Sequence, residues 1–128
     1  MTKGLADTSL FIARETGRTL DSKRVPEELA VSVVTAAELR AGVLMADEVA
    51  VRAARLRTLE FVRSLEPLPV DESVAEAWAL LRVSLRDAGV RMKANDAWLA
   101  ATALAHGLPV VTQDDDFDAV PGLSIIKV

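Results

Sequence analysis

Short apolar runs alternate along this chain with longer segments of helical periodicity. The first apolar piece, GLA (4–6), reaches Asp7 and fits a strand ending near Ala6. Residues 14–28, RETGRTLDSKRVPEE, are polar with one Gly and one Pro and predict a loop or a short helix. LAVSVV (29–34) is rich in β-branched residues and predicts a buried strand. TAAELRAGVLMA (35–46) predicts a helix, with Thr35 and Glu38 spaced as a capping box. Residues 47–65 predict a second helix whose broad apolar side is flanked by Arg52, Arg55, Arg57 and Arg63. PLPV (67–70) predicts a short strand with Pro at its start, where no ladder donor is needed. Residues 71–89 hold the clearest amphipathic helix. There Val74, Ala77, Trp78, Leu81 and Leu85 form one stripe, Asp71 is placed to cap and Gly89 to stop. NDAWLAATALAHG (95–107) predicts another helix, capped by Asn95 or Asp96 and ended by Gly107 and Pro109. LPVVT (108–112) and LSIIKV (123–128) predict strands.

Strands alternating with helices imply an α/β domain. We expect a largely parallel central sheet of four to five strands with helices on both faces, formed by residues 1–128 as one domain. A chain of 128 residues at 51% apolar content can bury a real core. Aromatics are only 4%, so Ala, Val and Leu must fill it. There are no cysteines, which excludes disulfides and thiolate zinc sites and makes a reducing cytoplasm the expected location. The N-terminal stretch carries Asp7 and Glu15, so no secretory signal is expected. No apolar run approaches the roughly 20 residues of a membrane span.

Net charge is −4, which at first sight disfavours a nucleic-acid binder. The count misleads if the acids are gathered at one point, and the sequence suggests that they are. In an open α/β sheet, ligands bind beyond the carboxyl ends of the strands. Asp7 follows the first strand, Glu38 lies one turn into the helix after the second, Asp96 opens a late helix, and Asp114, Asp115 and Asp116 follow VVT. Taken singly, Asp7, Asp96 and Asp114 could each be a helix cap, and Glu38 could close the capping box. Taken together they form an all-oxygen donor set suited to a hard divalent cation, Mg²⁺ or Mn²⁺. Such a cation would supply the positive charge that the run DDDFD (114–118) demands. An acid cluster without Cys, and with one His placed near a helix end (His106), suits metal-assisted phosphoryl transfer. Asp71 serves as a control, being a strand-end Asp that reads as a cap only.

Four segments resemble the PIN-domain ribonucleases, and specifically the VapC-type toxins of type II toxin–antitoxin systems. They are LADTSLFI, TAAELRAG, NDAWLAATALAHGLPVVTQD and TQDDDFD, in the family's order. The resemblance implies a PIN-like fold and a Mg²⁺- or Mn²⁺-dependent endoribonuclease acting on single-stranded or looped RNA. It makes Asp7, Glu38, Asp96 and Asp114 the acidic core, with Asp116 a fifth carboxylate and Thr112 a supporting hydroxyl. Asp115 falls on a variable position and reads as solvated. The resemblance also implies a homodimer and a cognate VapB-like antitoxin whose C-terminal tail lies across the cleft. Among the basic residues, Arg91 and Lys93 are the favoured RNA contacts, being close in sequence to Asp96. Two rival readings are a non-catalytic PIN-like interaction module and a receiver-like phosphoacceptor domain. The second would need a Lys after a late strand, and VVTQDDDF offers none.

Overall fold

The computed structural model describes residues 2–128. In chain order the elements are β1 (Lys3–Ala6), α1 (Thr8–Thr16), β2 (Glu28–Ala30), α2 (Val33–Met45), α3 (Val49–Ser64), α4 (Glu72–Ala88), α5 (Ala94–His106), β3 (Val110–Thr112) and β4 (Ile125–Lys127). The strands form one sheet in the order β2-β1-β3-β4, and every pairing is parallel. Parallel neighbours need crossover connections, so helices must cover both faces.

Alternation along the strands decides which helices those are. Leu5, Ala30 and Val110 face one core with Val74, Leu81 and Leu85 of α4, the alanines of α5, and Phe117. Ala6, Val31 and Val111 face the other core with Leu10 and Phe11 of α1, Leu39 and Val43 of α2, and Leu59 and Val62 of α3. Ala97, Ala100, Ala101 and Ala103 are all buried, and their small side chains let α5 pack closely on α4 within the same core. Register then fixes the site. Ala6 pairs with Val111, so Asp7 and Thr112 emerge side by side at the carboxyl edge although 105 residues separate them.

Several boundaries differ from the sequence reading. The second strand stops at Ala30, and α2 begins three residues on, at Val33, earlier than the expected start at Thr35. Its cap is Ser32, whose hydroxyl accepts from the Val34 amide at 3.0 Å. Thr35 and Glu38 therefore form no capping box, and both side chains are released for other contacts. PLPV is not a strand. Pro67 and Pro69 lack amide donors, which leaves Leu68 alone to bridge Ser32, and the sheet has four strands. α1 starts directly after Asp7 and ends at Gly17, where φ is 77°. α5 has Lys93 at its N-cap position, so Asn95 and Asp96 lie inside its first turn. No helix among the described residues is long and apolar enough to cross a membrane.

Candidate active site

Asp7 stands at the N-cap position of α1, yet its side chain caps nothing. Its Oδ2 instead accepts from the Thr112 hydroxyl at 2.9 Å, and the residue is only 4% exposed. The same Thr112 oxygen accepts from the Asp114 amide at 3.0 Å, so one fully buried hydroxyl ties the ends of β1 and β3 together. Ser9 repeats the device one step away, its Oγ accepting from the Gln113 amide at 3.2 Å. On the other side, Thr8 Oγ1 donates to Glu38 Oε1 at 2.8 Å. Thr8 has a single hydroxyl proton, so the 3.0 Å contact with buried Thr35 has Thr35 donating. The first turn of α1 is thus fastened to the β3 turn and to α2, and each fastening orients an acid.

A cleft of about 430 Å³ opens above these groups. Asp7, Glu38, Asp96, Asp114 and Asp116 all line it, brought together from the ends of β1 and β3 and from α2 and α5. Thr112 lies beneath it as the expected supporting hydroxyl. Lys93 is at its rim, but Arg91 is not. Arg91 lines a separate pocket with Arg82 and Arg86, because only Lys93 of that segment sits where α5 enters the cleft. The cleft's other cation is Arg18, which proximity in sequence to the acids could not suggest. Among the described residues neither Arg18 nor Lys93 is committed to an ion pair. Thr8 and Ser9 were thus outside the sequence reading, which took Thr35 for a cap and did not favour Arg18 among the basic residues. The hydroxyl pair directly after Asp7 was the one available signal.

The electrostatics follow from crowding. Burial pushes the Asp96 carboxyl up to about 6, helped by the charges of Asp7, Asp116 and Glu38 and opposed by Lys93. Asp114 is also raised, first by burial and then by Asp7 and Asp116, with Arg18 pulling the other way. Asp96, in the first turn of α5, faces the positive end of that helix. The Asp run itself is sorted by the turn that holds it. Buried Phe117 anchors the turn, and Asp114 and Asp116 face the cleft while Asp115 and Asp118 pair with Lys127 of β4. Asp115 is exposed but not merely solvated. Its hydrogen bond from Lys127, and then the charge of that ammonium, hold its carboxyl below the usual range. Part of the positive charge that the run demands therefore comes from the protein. Asp71 caps α4, accepting from the Val74 amide at 3.0 Å, and does not line the cleft. His106 ends α5, about 15 Å along the helix from Asp96.

The donor set is all oxygen and suits Mg²⁺ or Mn²⁺ in kind. Among the described residues no three acidic or histidine side chains are gathered tightly enough to form a finished metal cage. Like-charge repulsion explains an open arrangement of five acids.

The chain matches the PIN domain model over residues 5–123. It is 50% identical over 125 residues to Ribonuclease VapC5 of Mycobacterium tuberculosis, covering 98% of this chain and 93% of that one. It is 47% identical over 126 residues to Ribonuclease VapC4 of the same organism, covering 98% and 97%. The crystal structure of VapBC-5 from M. tuberculosis, a member of the VapBC family of toxin–antitoxin systems, superposes with a TM-score of 0.91 at 48% identity over the whole of both chains. By sequence and by fold the chain belongs to the PIN-domain family, in its VapC group.

Proposed function

We propose that this protein is the ribonuclease toxin of a VapBC-type pair, a Mg²⁺- or Mn²⁺-dependent endonuclease that cuts single-stranded or looped RNA. One observation carries the reading: five carboxylates from four elements line a single cleft, and buried hydroxyls hold two of them. Asp7, Glu38, Asp96 and Asp114 would hold the cation, with Asp116 joining directly or through water. Only Asp7 of the five is buried, so the other side chains have room to turn inward. When bound, a divalent cation supplies an activated water and charge stabilisation at the phosphodiester. The chain's own residues supply the rest. Thr112 keeps Asp7 and the Asp114 backbone in register, and Thr8 keeps Glu38 aimed into the cleft. Lys93 and Arg18 hold phosphates at the rim without competing for the cation, since neither offers an oxygen. The relatives are named as ribonucleases and the superposed structure as a toxin–antitoxin complex, which supports both the activity and a VapB-like partner. An acidic cleft is complementary to a basic segment of such a partner.

Asp7→Asn, Asp96→Asn and Asp114→Asn should each abolish Mg²⁺-dependent cleavage while leaving the circular dichroism spectrum unchanged. Wild-type rates in all three would overturn the site assignment. Saturating cognate antitoxin should suppress cleavage by the wild type, and a nuclease indifferent to it would not be a toxin of this kind. A metal-dependent cleavage assay also separates this reading from a non-catalytic interaction module.

A further inference from the structure

Arg91, which lies outside the cleft, shares a site with two other arginines. Arg82 and Arg86 of α4 and Arg91 of the following loop line a pocket of about 280 Å³, whose remaining walls are Leu85, Val90 and Met92. All three arginines are exposed. Arg82 lies over Trp78, 5.4 Å from the ring centre, and Trp78 in turn stacks on Trp98 at 4.9 Å. That stack steadies the guanidinium without using its donors. Arg86 bonds Asp87, but both partners are largely exposed, and such a neighbouring surface pair is weak. Most of the donors of three guanidiniums are thus free to meet a planar, multiply charged oxyanion, for which Arg is the best matched side chain.

The pocket is separate from the cleft but borders it along the chain. Arg91 and Met92 line the one and Lys93 lines the other, and two residues of chain span at most about 7 Å. A polyanion with its reacting phosphate over the acids would therefore run past Lys93 onto the arginines. The chain also gains from such a surface. Its net charge is −4 and its cleft is acidic, with only Arg18 and Lys93 as cations at the rim, so further cations beside the cleft would add to affinity for a nucleic acid.

We propose that Arg82, Arg86 and Arg91 form a second RNA-binding site, holding backbone phosphates a few nucleotides from the point of cleavage. The site rests on the nuclease reading for the direction of the strand, and on its own geometry for the binding. It makes grip on RNA depend on substrate length, because a short RNA fills only the cleft.

The test compares a long single-stranded RNA of mixed sequence with a tetranucleotide, each fluorescently labelled. Binding is read by anisotropy with Mn²⁺ present across a salt series, in an Asp114→Asn background that keeps the RNA intact. Arg86→Gln with Arg91→Gln leaves the Arg82–Trp78 packing alone. It should lower the salt slope for the long RNA by about 1.4, two contacts at about 0.7 each, so that a fourfold rise in salt weakens it about sevenfold less. Tetranucleotide binding should not change. Arg57→Gln with Arg63→Gln on α3, which packs on the opposite face of the sheet, makes the same change in net charge and should leave both slopes alone. An unchanged slope for the long RNA, the same loss in the α3 control, or an equal loss on the tetranucleotide would each overturn the site. So would binding of a polyglutamate peptide that needs the arginine pair while RNA binding does not, since the pocket would then serve an acidic polypeptide. Cleavage assays on the parent chain keep the two readings apart. A chain that cuts no RNA yet keeps the length-dependent slope loses the nuclease reading and retains this site. A chain that cuts RNA with no such slope loses this site alone.

Discussion

The Thr112 hydroxyl donates to Asp7 and accepts from the Asp114 amide, so it acts at two strand ends at once. Valine would keep the shape and remove both bonds, leaving a buried carboxylate short of a donor. Thr112→Val should therefore cost about 1–3 kcal/mol in thermal or urea unfolding. It should also depress initial cleavage rates far more than Asp115→Asn, whose partner is Lys127 rather than the cleft. Arg18 offers a second residue-level test. Its place above the cleft is set by Gly17 at φ 77°, by the Arg18 amide bonding Ala13 O at 2.8 Å, and by the Gln113 side chain bonding Thr19 O at 2.9 Å. Arg18→Ala should lower the salt slope of RNA binding by about 0.7 on short and long RNAs alike, whereas Arg91→Ala should act on long ones alone. The five carboxylates were legible in the sequence because each follows a strand end or lies in the early turns of a helix, positions that topology gathers at one edge. Of the hydroxyls beneath them only Thr112 was, through the family resemblance, because Thr8 and Thr35 draw their meaning from partners 27 and 30 residues away. Arg18 lay in a polar stretch with no periodicity to place it.

Among the elements, α4 is the one whose limits agree with its pattern, and its cap is separable from the chemistry. Asp71→Ala should destabilise by about 1 kcal/mol in thermal melts and leave kcat unchanged, in contrast to every cleft Asp. A fall in kcat in folded Asp71→Ala would mean that α4 helps to position the cleft. The order of strands and helices was readable because period and breakers change clearly along the chain. Boundaries were not readable where two residues compete for one role. Ser32 and Thr35 are both good caps, and the pairing of Val31 and Val33 with Leu68 settled the choice for Ser32 by ending the extended segment there. Lys93 took the cap position of α5 ahead of Asn95 and Asp96, which left Asp96 free to face the cleft. A tertiary contact chose between two good caps at α2, and at α5 the better local caps gave way to one.

Across the whole molecule, the cleft buries and crowds carboxyls, which should show in the dependence of stability on pH. The Asp96 carboxyl is raised from 3.8 to about 6, and Asp114 is raised in the same direction. Between those values the folded chain binds more protons than the unfolded one, so stability must fall as pH rises through that window. The stabilisation is whole below about pH 4 and is lost by about pH 6, as far as these two groups determine it. Because Asp96 is partly open to solvent, screening reduces its share to about 1 kcal/mol. In EDTA the melting temperature should therefore decline from pH 4 to pH 6, and Asp96→Asn should flatten much of that decline. A bound divalent cation reverses the logic. It favours the ionised acids, binds only the folded cleft and stabilises by mass action, so the gain from Mn²⁺ should grow as pH rises. Asp96→Asn should reduce that gain at every pH. A Mn²⁺ shift that is independent of pH and equal in wild type and Asp96→Asn would place the cation somewhere other than the cleft, and the acids would then need a different explanation.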